Sequence, residues 1–156
     1  MPSGIQIATG IGLILSVYAV YVEHMFHTTD GDFVALCDIE AIQASCSQVF
    51  NLPQGRMLSY FGLVPKGSFL DVPNALLGSL HYAYMLLLEP HSPPPVTSMA
   101  VAAAFWSTVF LAYQLTFVVF ELCLVCWSTH VINTYVMYQT FFGATGSTNA
   151  PKNKQS

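Results

Sequence analysis

Four long apolar runs divide the chain, at residues 5–22, 74–88, 96–120 and 122–142, and none holds a Lys, Arg, Asp or Glu. A helix crossing the hydrocarbon of a bilayer needs roughly 20 residues, with about 17–25 observed. Three runs reach that length directly. The second reaches it only if residues 69–73 join it, which puts Asp71 near its start. The pattern therefore predicts helices over about 5–22, 70–88, 96–119 and 122–142. Only Phe120 and Glu121 break the last two apart, so these should form a tight helical hairpin. The expected fold is an all-α integral membrane protein, a bundle of four transmembrane helices. It forms one domain over 1–142, with a loop or cap at 23–72 between helices 1 and 2.

Composition points the same way. Hydrophobic residues make up 54% of the 156 and charged residues 8%, against about 25% charged in soluble domains. The mean hydropathy is +0.55. Four Lys plus Arg in a chain of net charge −4 cannot form a basic patch, which argues against nucleic acid as a partner. The first run could be taken for a cleaved signal peptide. No Lys or Arg precedes it, however, and its apolar core exceeds the usual 7–15 residues, so a retained helix is expected. Ala8, Gly12 and Ser16 recur in it at every fourth position, a small-residue stripe that lets another helix approach closely. Ala100, Ala103, Ala104 and Ser107 offer a similar face on the third run.

Residues 23–73 hold six of the eight carboxylates: Glu23, Asp30, Asp32, Asp38, Glu40 and Asp71. Inside this polar segment, Tyr60-Phe61-Gly62-Leu63-Val64 is apolar and bounded by Arg56 and Lys66, as in a segment that dips into the membrane interface. Residues 89–95 contain Pro93-Pro94-Pro95 and read as a stiff turn. Residues 143–156 are small and polar, as in a disordered tail. Lys152 and Lys154 put that tail in the cytosol by the positive-inside rule, and with four helices the N-terminus joins it. The ending Lys152-Asn153-Lys154-Gln155-Ser156 also matches the K-x-K-x-x pattern that returns membrane proteins to the endoplasmic reticulum. The loop at 23–72 then faces the lumen, where disulfides persist.

The four cysteines of the chain carry its candidate chemistry. Cys123 and Cys126 are three apart and share one helix face, a separation that suits the roughly 5.5 Å Cα spacing of a disulfide. The positive end of a helix favours their thiolates, and apolar surroundings oppose them. They could instead be buried thiols or half of a zinc site. Zinc wants four ligands, and no second CxxC or nearby His pair completes a set. His24 and His27 also lack an evident third ligand, so no metal is expected. Cys37 and Cys46 read most simply as a stabilising loop disulfide. A CxxC at the water edge of a bilayer suggests electrons passing between that disulfide and something dissolved in the membrane. Among other residues, Asn74 reads as a helix cap, Phe50 as core or lid packing, and His130 as a helix residue facing a polar pocket. Glu121 reads as an interface marker.

From about Ile11 to Tyr138 the chain resembles the vitamin K epoxide reductase family. The resemblance rests on Ala35-Leu36-Cys37-Asp38, Ser45-Cys46-Ser47-Gln48-Val49-Phe50, Phe61-Gly62-Leu63-Val64, Asn74 with Gly78, and Phe120-Glu121-Leu122-Cys123-Leu124-Val125-Cys126. It implies a four-helix enzyme of the endoplasmic reticulum membrane that reduces vitamin K 2,3-epoxide to quinone and quinone to hydroquinone. Cys126 would then attack the substrate and Cys123 resolve the product of that attack. Cys46 would exchange with Cys123, and Cys37 would take electrons from a lumenal thioredoxin-like protein or another dithiol donor. Asn74 would donate to one ring oxygen and Phe50 would pack on the ring. No tightly bound cofactor is implied.

The chain also departs from the family pattern. His130 stands where the family has a Tyr whose hydroxyl helps hold the other quinone oxygen and contributes to the site of coumarin-type inhibitors. An imidazole can donate a hydrogen bond there as well. Gln54 replaces a Trp, Leu52-Pro53 replaces a Ser or Thr, and the Cys37–Cys46 spacing is one residue longer. Two other readings share some of these features. A claudin-like tetraspan protein has a comparable loop disulfide, but its Gly-Leu-Trp motif is missing before Cys37 and it needs no CxxC. A quinone-linked membrane thiol oxidase would use the same cysteines with electrons flowing the opposite way.

Overall fold

The computed structural model describes residues 3–29, 33–39, 44–50, 52–120 and 122–143. Four long helices make the bundle: α1 (Ser3–Thr28), α4 (Asn74–Leu87), α5 (Pro94–Gln114) and α6 (Leu124–Phe141). Between α1 and α4 lie two short ones, α2 (Cys46–Phe50) and α3 (Met57–Tyr60). Residues Gly4–Thr28 and Pro94–Val119 are long and apolar enough to cross a membrane, with hydropathies of 1.9 and 1.5. At 1.5 Å per residue, the 14 residues of α4 span about 21 Å, short of the ~30 Å of hydrocarbon.

The observed ends of the helices differ from the predicted ones for identifiable reasons. Helix α1 runs on past Glu23 to Thr28 instead of stopping at 22. The Glu23 carboxylate is buried there and meets the Arg56 guanidinium at 3.2 Å, so its charge is compensated within the protein. Helix α4 starts at Asn74, not near 70, because Pro73 precedes it in extended backbone. Asp71 lies in the cap, where it accepts the Gly67 N–H at 2.8 Å. Helix α5 begins inside the triple proline: Pro93 is extended, and Pro94 and Pro95 occupy the first turn. Proline is tolerated there because the first N–H groups of a helix have no intrahelical partner.

Packing between α1 and α4 explains the small residues on α1. A Cβ built on Gly12 would fall 2.5 Å from the Tyr82 ring, and one on Gly78 would fall 3.1 Å from Ser16 Oγ. Each helix thus offers a small residue where the other presents a side chain. Polar side chains are buried within the bundle, among them Thr9, Ser16, Thr97, Thr108, Gln114 and His130. Large apolar side chains point outward on the same helices: Ile14, Trp106 and Val131 are 71%, 70% and 66% exposed. Two apolar clusters also fill the interior, and large apolar side chains on the outside of the helices suit an apolar solvent.

Candidate functional site: two disulfides at the end of an apolar cavity

The loop that carries Cys37 and Cys46 is held by backbone and carboxylate hydrogen bonds. Ile39 and Ala44 exchange backbone bonds of 2.9 and 3.1 Å, and the Ser45 N–H donates to the Leu122 carbonyl at 3.0 Å. The Leu36 N–H donates to the Tyr18 hydroxyl at 2.9 Å, tying the loop to α1. Asp38 is the centre of the loop. Its carboxylate accepts the N–H of Ala35 at 3.0 Å, of Cys46, and of Ser47 at 3.2 Å, together with the Ser47 hydroxyl. It thereby caps α2, whose first N–H groups would otherwise lack partners. Burial alone would raise the Asp38 pKa. The Ser47 hydroxyl and the three N–H donors outweigh that and hold the carboxyl below its usual range.

These restraints bring the two disulfides together. Cys37 is bonded to Cys46 with a Cα separation of 5.9 Å, and Cys123 to Cys126 with 5.2 Å. Cys46 Sγ lies 3.8 Å from Cys123 Sγ, and both residues are fully buried. Cys123 is not inside α6 but caps it, in extended backbone, and its sulfur accepts the Cys126 N–H at 3.3 Å. Cys126 therefore sits in the first helical turn, where the dipole favours a thiolate. The chain enters this turn through Phe120, whose φ of 58° lies in the left-handed region that non-glycine residues seldom adopt. Glu121 lies outside the described residues. Ligand atoms of Cys37, Asp38 and Cys46 fall within 4.8 Å of one another. Both thiols are spent in the disulfide and the carboxylate is occupied by four donors, so the cluster is a clasp for the loop and not a metal centre.

Beyond Cys126 opens a cavity of about 320 Å³ lined by α1, α4, α5, α6 and the cap, a size that suits a small organic ligand. Cys126, Asn74 and His130 all line it. Asn74 is not a cap. Its Oδ1 accepts the Met57 N–H at 2.9 Å and its Nδ2 donates to the Gln54 carbonyl at 2.7 Å, which fixes the cap over the cavity. An amide nitrogen carries two hydrogens, so one remains for a ligand. His130 is buried, packs edge-on against Trp127 at 5.9 Å, and its Nε2 has no hydrogen-bond partner among the described residues. Ala100, Ala103, Ala104 and Ser107 line the same space. The Phe50 side chain and the lysine tail lie outside the described residues.

The matching family model is that of the vitamin K epoxide reductase family, over residues 4–141. The chain belongs to the vitamin K epoxide reductase family. It is 35% identical over 137 residues to mouse vitamin K epoxide reductase complex subunit 1, covering 83% of this chain and 82% of that protein. Identity to the rat protein of the same name is 33% over the same shares. Family membership makes the chain a membrane oxidoreductase with a redox disulfide pair, Cys37–Cys46, and a disulfide-linked CxxC, Cys123–Cys126.

Within this vitamin K epoxide reductase relative, the structure adds residues that the sequence reading did not single out. Asp38 was part of a motif there, with no role. Arg56 was a loop charge. Here its guanidinium bonds the Glu23 carboxylate and also the Asp71 carbonyl, joining α1 to the middle of the cap and to its Asp71 end. Tyr60 and Phe61 pack on Phe110 of α5 at 5.8 and 4.8 Å, closing the cap against the bundle. A Cys-Asp dipeptide was the one local signal for Asp38, and nothing local marks the partners of Arg56.

Proposed function

We propose that this protein reduces vitamin K 2,3-epoxide to the quinone, and the quinone to the hydroquinone, with electrons entering at Cys37 and leaving from Cys126. The observation that carries the reading is the 3.8 Å contact of Cys46 and Cys123, which joins a buried loop disulfide, next in the chain to the exposed Leu36, to a second one at a ligand-sized cavity. A thiol of a dithiol donor attacks Cys37 and frees the Cys46 thiolate. Cys46 attacks Cys123, forming a Cys46–Cys123 disulfide and freeing Cys126. The donor's second thiol releases Cys37, which attacks Cys46 and frees Cys123. Each step is a thiolate displacing another from a disulfide, and the donor ends oxidised.

The Cys126 thiolate then attacks a carbon of the quinone or epoxide ring. Cys123 attacks the Cys126 sulfur, so the disulfide re-forms and two electrons stay on the ring, which takes up protons from water. The free amide hydrogen of Asn74 and the Nε2 of His130, both on the cavity wall, bond the ring oxygens in this reading, where hydrogen bonds stabilise developing negative charge. Coumarin-type inhibitors would contend for the same contacts. The donor is a lumenal thioredoxin-like protein, and vitamin K is a substrate and not a bound cofactor. The protein spans the endoplasmic reticulum membrane four times, with α4 completed by flanking cap residues. The 23–72 cap is lumenal, both termini are cytosolic, and the exposed Phe61, Leu63, Phe69 and Leu70 rest in the interface.

The test is an assay of purified protein with each substrate and a small dithiol, with Cys126→Ala as the control. Turnover of either substrate that Cys126→Ala abolishes is the expected result. Absence of turnover by the wild type with both substrates would end the proposal.

A further inference from the structure

Gln114 ends α5, directly before the single π-helical stretch Leu115–Val119 among the described residues. It continues the face of α5 that looks into the cavity. Ala100, Ala103, Ala104, Ser107 and Leu111 line that space at three- and four-residue steps, and Gln114 follows at the next step. The face is small or apolar until this point, so a polar side chain here needs a reason. Gln114 is 8% exposed, and its Oε1 has no hydrogen-bond partner among the described residues. The side chain is buried within the bundle, and leaving a buried polar group unpaired is unfavourable. Two further atoms on the cavity wall share this condition, His130 Nε2 and Gln54 Oε1.

We propose that Gln114 binds the epoxide oxygen, and so favours epoxide over quinone as the substrate. This rests on the reading of the cavity as a quinone and epoxide site. The two ring carbonyls are assigned to Asn74 and His130. The epoxide has a third oxygen, which the quinone lacks, and Gln114 brings a further amide to the same cavity from the α5 wall, whereas Gln54 belongs to the cap segment that Asn74 holds through the Gln54 carbonyl. When the Cys126 thiolate attacks an epoxide carbon, a C–S bond forms and a C–O bond breaks, leaving negative charge on that oxygen. An amide N–H donates to it and a proton from water converts it to a hydroxyl. Cys123 then attacks the Cys126 sulfur, the two electrons of the C–S bond return to the ring, and the hydroxyl leaves as water with a second proton. The products are quinone, water and the Cys123–Cys126 disulfide. A glutamine suits both stages, since rotation of its amide presents a donor to the alkoxide and an acceptor to the hydroxyl.

The experiment compares kcat/KM for epoxide and for quinone in wild type and in Gln114→Met, which keeps the side chain's length without its amide. Gln114→Met is expected to lose about tenfold on the epoxide and to keep its quinone activity, which serves as the check that the variant is folded. Equal losses on both substrates, or none on either, would overturn the proposal and leave the proposed function standing. A wild type that reduces quinone alone would overturn it too, and would remove the epoxide half of that function. A wild type that reduces neither would remove both. Gln114→Leu provides a second amide-free side chain, and the same selective loss is expected from it.

Discussion

The sulfur of Cys46 touches the sulfur of Cys123 at 3.8 Å, although 77 residues separate them in the chain. Among the described residues, a backbone bond between the loop and the turn ahead of α6 supports the contact: Ser45 N–H meets the Leu122 carbonyl at 3.0 Å. A double variant, Cys37→Ala with Cys126→Ala, leaves these two thiols without their native partners. It is expected to form a Cys46–Cys123 disulfide under mild oxidation, read by peptide mass mapping without reductant. Recovery of both as alkylated thiols would show that the observed contact is not competent for exchange.

Asp38 holds four donors, and hydrogen bonds to a charged group contribute about 1.5–3 kcal/mol each before losses are counted. Asp38→Ala should lower unfolding free energy by roughly 2–3 kcal/mol, measured by thermal unfolding in detergent. Because the folded pKa is depressed, the contribution is complete above the unfolded value near 4. It fades as pH falls through the folded value. The stability difference between wild type and Asp38→Ala should therefore be constant at neutral pH and shrink below about pH 4. A difference that stays unchanged down to pH 2 would assign the effect to something other than the carboxylate.

Asn74 joins the cap to the cavity, so its loss has two consequences at once. Asn74→Ala should reduce kcat/KM about 10–100-fold, equal to roughly 1.4–2.7 kcal/mol of transition-state stabilisation. It should also speed proteolytic cleavage in the 52–58 segment, whose Met57 N–H and Gln54 carbonyl lose their partner. A fall in activity with unchanged cleavage would mean that the cap does not rely on this side chain.

Two glycines of α1 provide a packing test. A side chain at Gly12 meets the Tyr82 ring, whereas nothing lies within 4 Å of one at Gly10. Gly12→Ala should destabilise the protein by about 1–3 kcal/mol through overpacking. Gly10→Ala should be neutral, or stabilise by up to about 1 kcal/mol through helix propensity. Equal shifts in unfolding temperature for the two would contradict the close approach of α1 and α4.

The sequence made the long apolar runs and the cysteine pairs visible because both are local patterns. Its failures came from partners far away in the chain. Glu23 looked like the end of a transmembrane run, since the residue that compensates it, Arg56, lies 33 positions on. Asp38 had no assigned role, because the N–H groups it caps belong to residues 46 and 47. Asn74 looked like a helix cap, but its bonds go back across the cap to residues 54 and 57. The small-residue stripes show a different limit. Gly12 and Ser16 do meet another helix, while Ala100, Ala103, Ala104 and Ser107 border open space. Small side chains have the same signature whether the neighbour is a helix or a void.

The Asp38 clasp is made of oxygen and nitrogen alone, and none of its bonds passes through sulfur. Opening the Cys37–Cys46 disulfide therefore removes one tether of the loop and leaves the others in place. Cys46 keeps its station beside Cys123 while its own bonding changes. The loop's shape is thus held independently of that disulfide, and the electron relay we propose would run without rebuilding the gap between Cys46 and Cys123.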